Sequence, residues 1–503
     1  MSKFTDSVLR EVLPQRAVND SSFSQGLIDF LFSTGGTTSW IPSKSYLRIG
    51  IQIFRNRPGT VQPQLSSLIS PADNLPGNLF NNCMMYAGGR QVSQIVNGVP
   101  QASALKARLL RNNAWSESMG KETFLSEAEF AERQRYICID AQKSSLSPDY
   151  TISPLTTVPA DQRAATVAID LTGVVTGVLT EFDSVAEVGD TLVVDDQRFQ
   201  IVDVASDLLM TVSPSPSLAI AASADAYIIK QDNQLSDGHN KFYVIWKPPL
   251  GFFDLDSPQP AGDYRLSLNP SQNYKSAGIE TLLGSAATAC PIGFYDLKVV
   301  DVRLYLHTVQ ASIPMDVKTL IYEQNVQSKP FTTASNTLNF TVPSSTKAIT
   351  VWVQSDDAGI NPLIPPSMFK CFPNLGSAAP HLGLQGIQLT FANTTKPSVR
   401  WDSSYSADTN QLQQRYRDTY ADAGMGNSAG GVERFEDYLT RGPMYHFDFS
   451  RTADDNSTEL QVSADFSTAL GPGVSMFVCA WYTRVVLIQS RGGTIQSVAS
   501  QVA

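Results

Sequence analysis

Residues 426–430 read GNSAG, which fits the G-x-S-x-G pattern of a hydrolase nucleophile elbow with Ser428 as the nucleophile. In that elbow an apolar strand precedes the serine and a helix follows it, because the strained turn between them exposes the hydroxyl. The preceding residues here, QRYRDTYADAGM, are polar and helix-like, and a second glycine follows the motif. We therefore interpret it as a flexible Gly/Ser loop and keep a Ser428 hydrolase only as a third hypothesis.

The remaining groups that could do chemistry are isolated along the chain. None of the four histidines has a second His, Cys or carboxylate at metal-ligand spacing. The pair Asp254 and Asp256 in DLDS is interpreted as part of a solvated loop. We predict no catalytic residue, no cofactor-binding residue and no metal site; the histidines that we weighed are His239, His307, His381 and His446.

The charge of the chain is unevenly distributed. The 503 residues carry a net charge of −10, and residues 161–237 alone hold thirteen acids and three bases, which is also −10. The rest of the chain is balanced, so a neutral body carries one acidic segment. Basic residues are dispersed, and we predict no sequence-specific nucleic-acid binding.

Length and composition indicate a globular protein of two or three domains, with 42% hydrophobic and 17% charged residues. Short alternating apolar runs between Gly, Pro, Asn and Ser are typical of β-sandwiches. Helical patterns at residues 121–136 and 432–439 each precede an aromatic strand, which suggests two domains of one architecture. The predicted strands include SYLRIGIQIF, KFYVIW, DYRLSL, DLKVVDVRLYLHTV, AITVWVQ, GIQLTFA, YHFDFS and ELQVSADF.

The two ends of the chain give separate expectations. The amphipathic pieces FTDSVLREVL and FSQGLIDFLF either pack on the protein's own core or form an N-terminal arm that contacts a neighbouring subunit. The N-terminus lacks the apolar stretch of a signal peptide. The apolar run from Val474 is interrupted by Thr483 and Arg484, so we interpret it as one or two buried strands.

Five scattered cysteines indicate reduced, buried thiols, and one disulfide remains an alternative.

The order of these segments resembles that of major capsid proteins with a double jelly roll, in particular those of virophages and polinton-like viruses. The resemblance covers about 400 residues by pattern and order. The segments that carry it are SYLRIGIQIFR, NLFNNCMMYAGGRQVSQIVNG with its Asn-Gly turn, PPLGFFDLDSPQPAGDYRLSLNPS, DLKVVDVRLYLHTV, GIQLTFANTTKPSVRW and YHFDFSRTADDNSTELQVSADF.

The resemblance implies an all-β fold of two jelly-roll sandwiches side by side, with a small β-barrel insertion in the first. The expected domains are an N-terminal arm, a first jelly roll in two parts, an inserted acidic surface tower, a second jelly roll and a C-terminal tail. In that order they span residues 1–35, residues 36–144 with 238–312, residues 145–237, residues 313–495 and residues 496–503.

The same resemblance implies the function of a major capsid protein. Trimeric, pseudo-hexagonal capsomers would assemble in the host cell into an icosahedral virion shell around a double-stranded DNA genome. The expected partners are two further copies, neighbouring capsomers, penton and other minor capsid proteins, and a host surface contacted through residues 160–235. The alternative is a host-binding spike or fibre protein of a virion.

Overall fold

The computed structural model describes most of the chain, with gaps that include much of residues 112–165. The described residues are 7–19, 21–55, 69–111, 115, 120, 124, 137–138, 166–178, 182, 186, 191–194, 197–216, 218–223, 226–229, 242–281, 295–310, 316–330, 334–360, 366–367, 384–402, 409–424, 435, 438, 442–451, 456–466 and 473–502.

Strands dominate the described residues. Those before the insertion are β1 (Ser7–Val12), β2 (Ile28–Thr34), β3 (Thr38–Trp40), β4 (Tyr46–Arg55), β5 (Ile69–Pro71), β6 (Phe80–Ala87), β7 (Arg90–Ile95) and β8 (Ile137–Cys138). The insertion contains β9 (Thr166–Ile169), β10 (Val174–Val178), β11 (Thr191–Val194), β12 (Gln197–Ser206), β13 (Leu209–Ser213), β14 (Ile220–Ser223) and β15 (Ala226–Ile229).

The chain then returns to the first sandwich and continues into the second. The strands that follow are β16 (Phe242–Trp246), β17 (Gly262–Pro270), β18 (Ile279–Thr281), β19 (Tyr295–Gln310), β20 (Asp316–Pro330), β21 (Ser335–Thr341), β22 (Thr346–Ser355), β23 (Leu384–Phe391), β24 (Thr394–Asp402), β25 (Met444–Asp448), β26 (Glu459–Phe466), β27 (Val474–Arg491) and β28 (Thr494–Val502).

Helices are few among the described residues. The α-helices are α1 (Leu75–Asn78), α2 (Val99–Leu110), α3 (Tyr274–Ala277) and α4 (Thr409–Asp422), and 3-10 helices span Pro42–Lys44 and Gly251–Asp254. No helix in these ranges is long and apolar enough to cross a membrane.

Alternation of apolar and polar residues explains why the strands pair into two-layered sandwiches. In β4, Leu47, Ile49, Ile51 and Ile53 are all fully buried, because successive side chains of a strand point to opposite faces. β26 repeats the pattern with Leu460, Val462, Ala464 and Phe466 buried. Each sandwich forms its core by folding two such sheets over one another.

The two sandwiches have the same strand order. The first contains the sheets β1-β19-β4-β16 and β2-β17-β6-β7, and the second contains β20-β27-β22-β25 and β21-β26-β23-β24. When the eight strands of each sandwich are counted along the chain, both have sheets of order 1-8-3-6 and 2-7-4-5. This is the jelly-roll order, so the predicted double jelly roll is confirmed.

Both ends of the chain differ from the expected domain limits. β1 pairs with β19 and β2 pairs with β17, so the predicted arm at residues 1–35 supplies the first two strands of the first sandwich. β28 pairs with β27, so the predicted tail at residues 496–503 is largely strand. The described parts of both segments therefore belong to the sheets of the two sandwiches, and the expectation of a separate arm and tail is corrected.

The insertion is a sheet with its own core. Its strands follow the antiparallel order β14-β9-β10-β13-β12-β11-β15, and the pairings between described residues form an open path rather than a closed ring. The inward side chains form a separate apolar cluster that includes Val175, Phe182, Leu192, Ile201 and Met210.

The two chain segments that flank the insertion reach the same end of the first sandwich. β8 pairs with β4 at Ile53 and Phe54, and Phe242 at the start of β16 lies opposite Ile51. The insertion therefore lies in the connection between the fifth and sixth strands of this jelly roll.

Candidate assembly interface

Among the described residues, the most extensive buried contact between separate parts of the fold lies between the two sandwiches. We call this contact the junction. It is centred on β7 and α2 of the first sandwich and on β20 of the second. The largest cluster of buried apolar side chains crosses it, since Leu105, Ile321 and Trp481 belong to one cluster. The two jelly rolls therefore share a core and form one body.

A buried carboxylate lies at the centre of the junction. Glu323 on β20 is 1% exposed, and its carboxylate accepts hydrogen bonds from the Ser93 hydroxyl and from the Gln94 backbone N–H at 3.3 Å. Burial raises the pKa of Glu323 to about 7, against the opposing effects of Ser93, of the positive charge of Arg484 and of Gln94. The protonation of this group therefore changes near neutral pH.

Helix α2 connects the two sandwiches through backbone carbonyls. The Gln324 side-chain amide donates to the Ala102 carbonyl at 3.2 Å, and the buried Arg108 guanidinium donates to the Gly442 carbonyl at 3.0 Å. Leu105 on the same helix is fully buried. The helix consequently packs between the sandwiches rather than on the surface of one of them.

The two sandwiches approach each other closely at two glycines. A Cβ atom at Gly251 would lie 2.1 Å from the carbonyl oxygen of Tyr322, and one at Gly98 would lie 2.6 Å from Cβ of Val326. Any larger residue at Gly251 requires the backbone to move, because the obstacle is another main chain. The junction is thus a close-packed contact whose geometry is fixed on both sides.

Further polar contacts extend the junction toward both ends of the sandwiches. The Ser490 hydroxyl donates to the Ala261 carbonyl at 2.6 Å, and the Ser367 hydroxyl donates to the Asp73 carbonyl at 2.7 Å. Contacts at several separated points restrict rotation of one sandwich against the other, since a single contact would leave a hinge.

The first strand of each sandwich forms an exposed sheet edge. β1 occupies the edge of its sheet, and β20 occupies the equivalent edge in the second sandwich. Both edges carry exposed apolar side chains: Val8 is 62% exposed, Leu320 is 52% exposed and Tyr322 is 56% exposed. An edge strand has unpaired backbone groups that can contact another chain. The edge of β1 offers such groups, whereas the backbone of β20 at Tyr322 already packs against Gly251 of the first sandwich, so β20 offers mainly its exposed side chains.

The residues that the sequence offered for chemistry are dispersed in the structure. His446 lies in β25, where its Nδ1 is 2.8 Å from the Thr350 hydroxyl; burial lowers its pKa to about 4, opposed by Asp448. His307 lies in β19, and burial, followed by the charge of Lys44, lowers its pKa. Ser428, His239 and His381 lie outside the described residues.

Neither thiol nor carboxylate groups form a metal site in the described part of the chain. Cys83 and Cys479 are buried free thiols whose pKa values are raised by burial. No group of three or more His, Cys, Asp and Glu side chains comes together there. Asp254 and Asp256 are exposed, as expected, although Asp254 ends a 3-10 helix and forms ion pairs with Lys106 and Lys247.

Sequence reasoning did not identify the junction or α2. The segment VPQASALKARLL is apolar around most of its circumference, so it lacks the one-sided pattern that marks a surface helix. The sequence feature that indicates the start of this helix is Pro100, which lies in its first turn after an Asn-Gly pair. The Asn-Gly pair predicts a turn, and Asn97 does adopt a positive φ of 52°, but the chain continues from the turn into a helix.

Comparison with known proteins gives a match in structure alone. No protein-family model matches the chain, and no curated protein matches it. A chain in the cryo-electron microscopy structure of the Sputnik virophage is 10% identical and has a TM-score of 0.54, with 100% of this chain and 89% of that chain covered. This likeness shows that the two chains share a fold.

Two further solved structures are similar at lower scores. The mavirus major capsid protein is 10% identical, with 98% of this chain and 90% of that chain covered and a TM-score of 0.46. The Faustovirus major capsid protein is 8% identical, with 97% and 90% covered and a TM-score of 0.45.

Proposed function

We propose that this chain is a major capsid protein, a structural rather than catalytic protein that assembles into an icosahedral virion shell around a double-stranded DNA genome. The observation that carries the proposal is the pair of jelly rolls of identical strand order, fixed side by side by the junction. A chain that already contains two equivalent sandwiches needs only three copies to present six, and a six-sided unit can tile a surface.

The two exposed edges support trimer formation. β1 and β20 are equivalent strands at equivalent edges, and both expose apolar side chains. In a closed ring of three copies, every contact between neighbours is the same. Each contact would use a sandwich edge of one copy and a surface of the next copy. The balanced charge of the body favours such packing, because no repulsion accumulates as copies are added.

The insertion fits the role of a surface tower. Its acidic segment carries the whole net charge of the chain, and its core is separate from that of the body. It also exposes Leu171, Val178, Val202, Leu208, Leu209 and Leu218. An acidic surface with apolar positions is suited to contact a basic partner, and we propose that it points outward and contacts a host surface.

The remaining partners follow from the same proposal. Neighbouring trimers would contact one another through the outer faces of the sandwiches, and closure of an icosahedron needs a different unit at its fivefold vertices. Penton and other minor capsid proteins are therefore proposed as partners. The likeness to a chain of the Sputnik virophage supports this assignment through a shared fold.

The mass of the purified full-length protein tests the proposal. Size-exclusion chromatography with light scattering at micromolar concentration should give three times the 54.7 kDa chain mass, or a larger assembly. A strict monomer would contradict it. An elongated trimer that forms no closed particle would favour the spike or fibre alternative instead.

A further inference from the structure

A cavity of about 420 Å³ opens at one end of the first jelly roll. It lies where β4 begins and β16 ends, beside the C-terminal half of α2. Its walls include the aromatic side chains of Tyr46, Trp115 and Trp246 and the ring of Pro249, and the buried indole of Trp246 donates to the Ser103 hydroxyl at 3.4 Å. One part of the cavity is therefore an apolar surface fixed by the sandwich core.

Cationic side chains also line the cavity, and the Arg111 guanidinium lies 5.8 Å from the ring centroid of Trp115. Lys106 and Lys247 both form ion pairs with Asp254, at 3.6 Å between Nζ of Lys247 and Oδ1 of the carboxylate. Lys44 and Arg111 also line the cavity, and neither has an ion pair with any residue that the structure describes. An adjoining space of about 400 Å³ is lined by the same four cations together with Asp254 and Asp256.

The four cations and two carboxylates leave a net charge of +2 around this space. The side chain of Lys106 is only 13% exposed, so water screens its positive charge only partly. Burial lowers the pKa of Lys247, and the positive charges of Lys106 and Arg111 lower it further against the effect of Asp254. Like charges held together in a partly desolvated place favour the entry of an anion.

We propose that this cavity binds a phosphate monoester that carries an apolar or aromatic group. A phosphate monoester has a charge near −2 at pH 7, which matches the excess positive charge, whereas one carboxylate would leave half of it uncompensated. The Arg111 guanidinium offers paired donors that suit phosphate oxygens, and the lysines add point charges. The aromatic wall accepts the organic group of the ligand.

The position of the cavity relates it to the insertion. The insertion is attached near Ile53 and Phe54 at one end of β4, whereas the cavity is lined by Tyr46 at the other end, about 25 Å away along the strand. The proposed function has the insertion facing outward, and on that basis the cavity opens toward the inside of the shell. A free organic phosphate and the 5′-phosphate of a nucleic acid end have the same chemistry there.

Isothermal titration calorimetry of the full-length protein at pH 7.5 tests the proposal with phenyl phosphate and inorganic phosphate as probes. Phenyl phosphate should bind, and inorganic phosphate should bind about tenfold more weakly because it lacks the ring. No heat from phenyl phosphate at concentrations up to about 10 mM, which corresponds to a very weak complex, would overturn the proposal. Equal affinity for both probes would overturn the apolar part of the site.

Variants locate the binding at these residues. The double variant Lys44→Ala and Arg111→Ala should weaken phenyl phosphate binding at least about tenfold, because two cations without ion-pair partners are removed. Arg451→Ala removes an exposed cation from the turn after β25 and should leave binding unchanged. Thermal unfolding of each variant verifies that it is folded. Equal binding by the folded double variant and the parent would contradict the assignment.

Two oligonucleotides separate the sources of the phosphate. A short single strand with a 5′-phosphate and the same strand with a 5′-hydroxyl are titrated into the parent and the double variant. Preference of the parent for the 5′-phosphate, lost in the double variant, assigns the site to nucleic acid ends. If phenyl phosphate binds and the two strands do not differ, the site is assigned to a free organic phosphate.

Discussion

The junction joins two large units through buried charged and amide groups, whereas the insertion packs its apolar side chains mainly against one another. Glu323, Gln324 and Arg108 form hydrogen bonds that cross from one sandwich to the other. The strands of the insertion make their substantial contacts within the insertion, among the described elements. The difference indicates that the junction is required for the body to form, while the insertion is a separate unit carried by it.

The connection between the fifth and sixth strands can be compared in the two jelly rolls. Between the fifth and sixth strands, the second sandwich has α4, and the first has α2 followed by the insertion. The helix is common to both, so the insertion is an addition to an otherwise repeated design. Exposed loops tolerate such additions because few contacts of the surrounding fold depend on them.

The largest expected effect is loss of the junction by overpacking at Gly251. Gly251→Val should lower the free energy of unfolding by about 3 kcal/mol or more, because its Cβ would overlap the Tyr322 carbonyl. Urea denaturation measures the change. Gly35→Val is the matched control, since a Cβ there meets nothing within 4 Å, and an equal loss in both variants would contradict the close contact.

The pH dependence of stability should report on Glu323. Its pKa is about 7 in the folded protein and near the ordinary 4.5 when unfolded, so the folded state binds the extra proton between these values. The contribution of protonated Glu323 to the free energy of unfolding is therefore complete below about pH 4.5. It is lost as the pH rises through 7, with a total change of about 3 kcal/mol.

The variant Glu323→Gln isolates this effect from other titrating groups. The difference in unfolding free energy between parent and variant should shift in favour of the variant as the pH rises from 5 to 8, because the amide remains neutral. Glu459→Gln, at an exposed position, is the control and should follow the parent. A parent-to-variant difference that does not change with pH would show that Glu323 does not titrate in this range.

A charge on an exposed edge should weaken assembly without unfolding the body. Leu320→Lys places an ammonium group among the apolar side chains of β20 and should raise the dissociation constant of the trimer about tenfold or more. Ile360→Lys, which is similarly exposed but lies outside the strands, is the control. Sedimentation velocity measures both, and an unchanged constant for Leu320→Lys would remove β20 from the interface.

The smallest effect is expected from removal of the insertion. Replacement of residues 160–235 by a short Gly/Ser linker should leave the unfolding temperature of the body and its oligomeric mass unchanged, because the cluster around Phe182 and Met210 is separate from the other cores. Differential scanning calorimetry tests this directly. Failure of the shortened chain to fold would show that the insertion belongs to the body.

Much of the fold could be predicted from the sequence, because alternation with period two marks half-buried strands directly. β4, β17 and β26 were predicted from this pattern, and the apolar run from Val474 proved to be a single long strand. The acidic segment was found by counting charge. Pairing partners are not encoded locally, and for that reason β1, β2 and β28 were assigned to an arm and a tail.

The candidate interface could not be predicted in the same way. Glu323 lies in a strand of mixed polarity, and its burial depends on Ser93, which is 230 residues away in the chain. The ion pair between Asp254 and Lys106 joins residues that are 148 positions apart in the chain, so the local sequence around Asp254 does not show it. Contacts between residues this far apart depend on how the folded chain packs, and no short stretch of sequence specifies them.

Electron microscopy of the purified full-length protein tests the central claim most directly. The proposed function predicts three-fold particles with six lobes of similar size, one for each jelly roll, and three protrusions on a single face where the insertions lie. Particles with a single pair of lobes, or trimers whose two sandwiches take variable relative orientations, would contradict both the assembly and the rigid junction on which it depends.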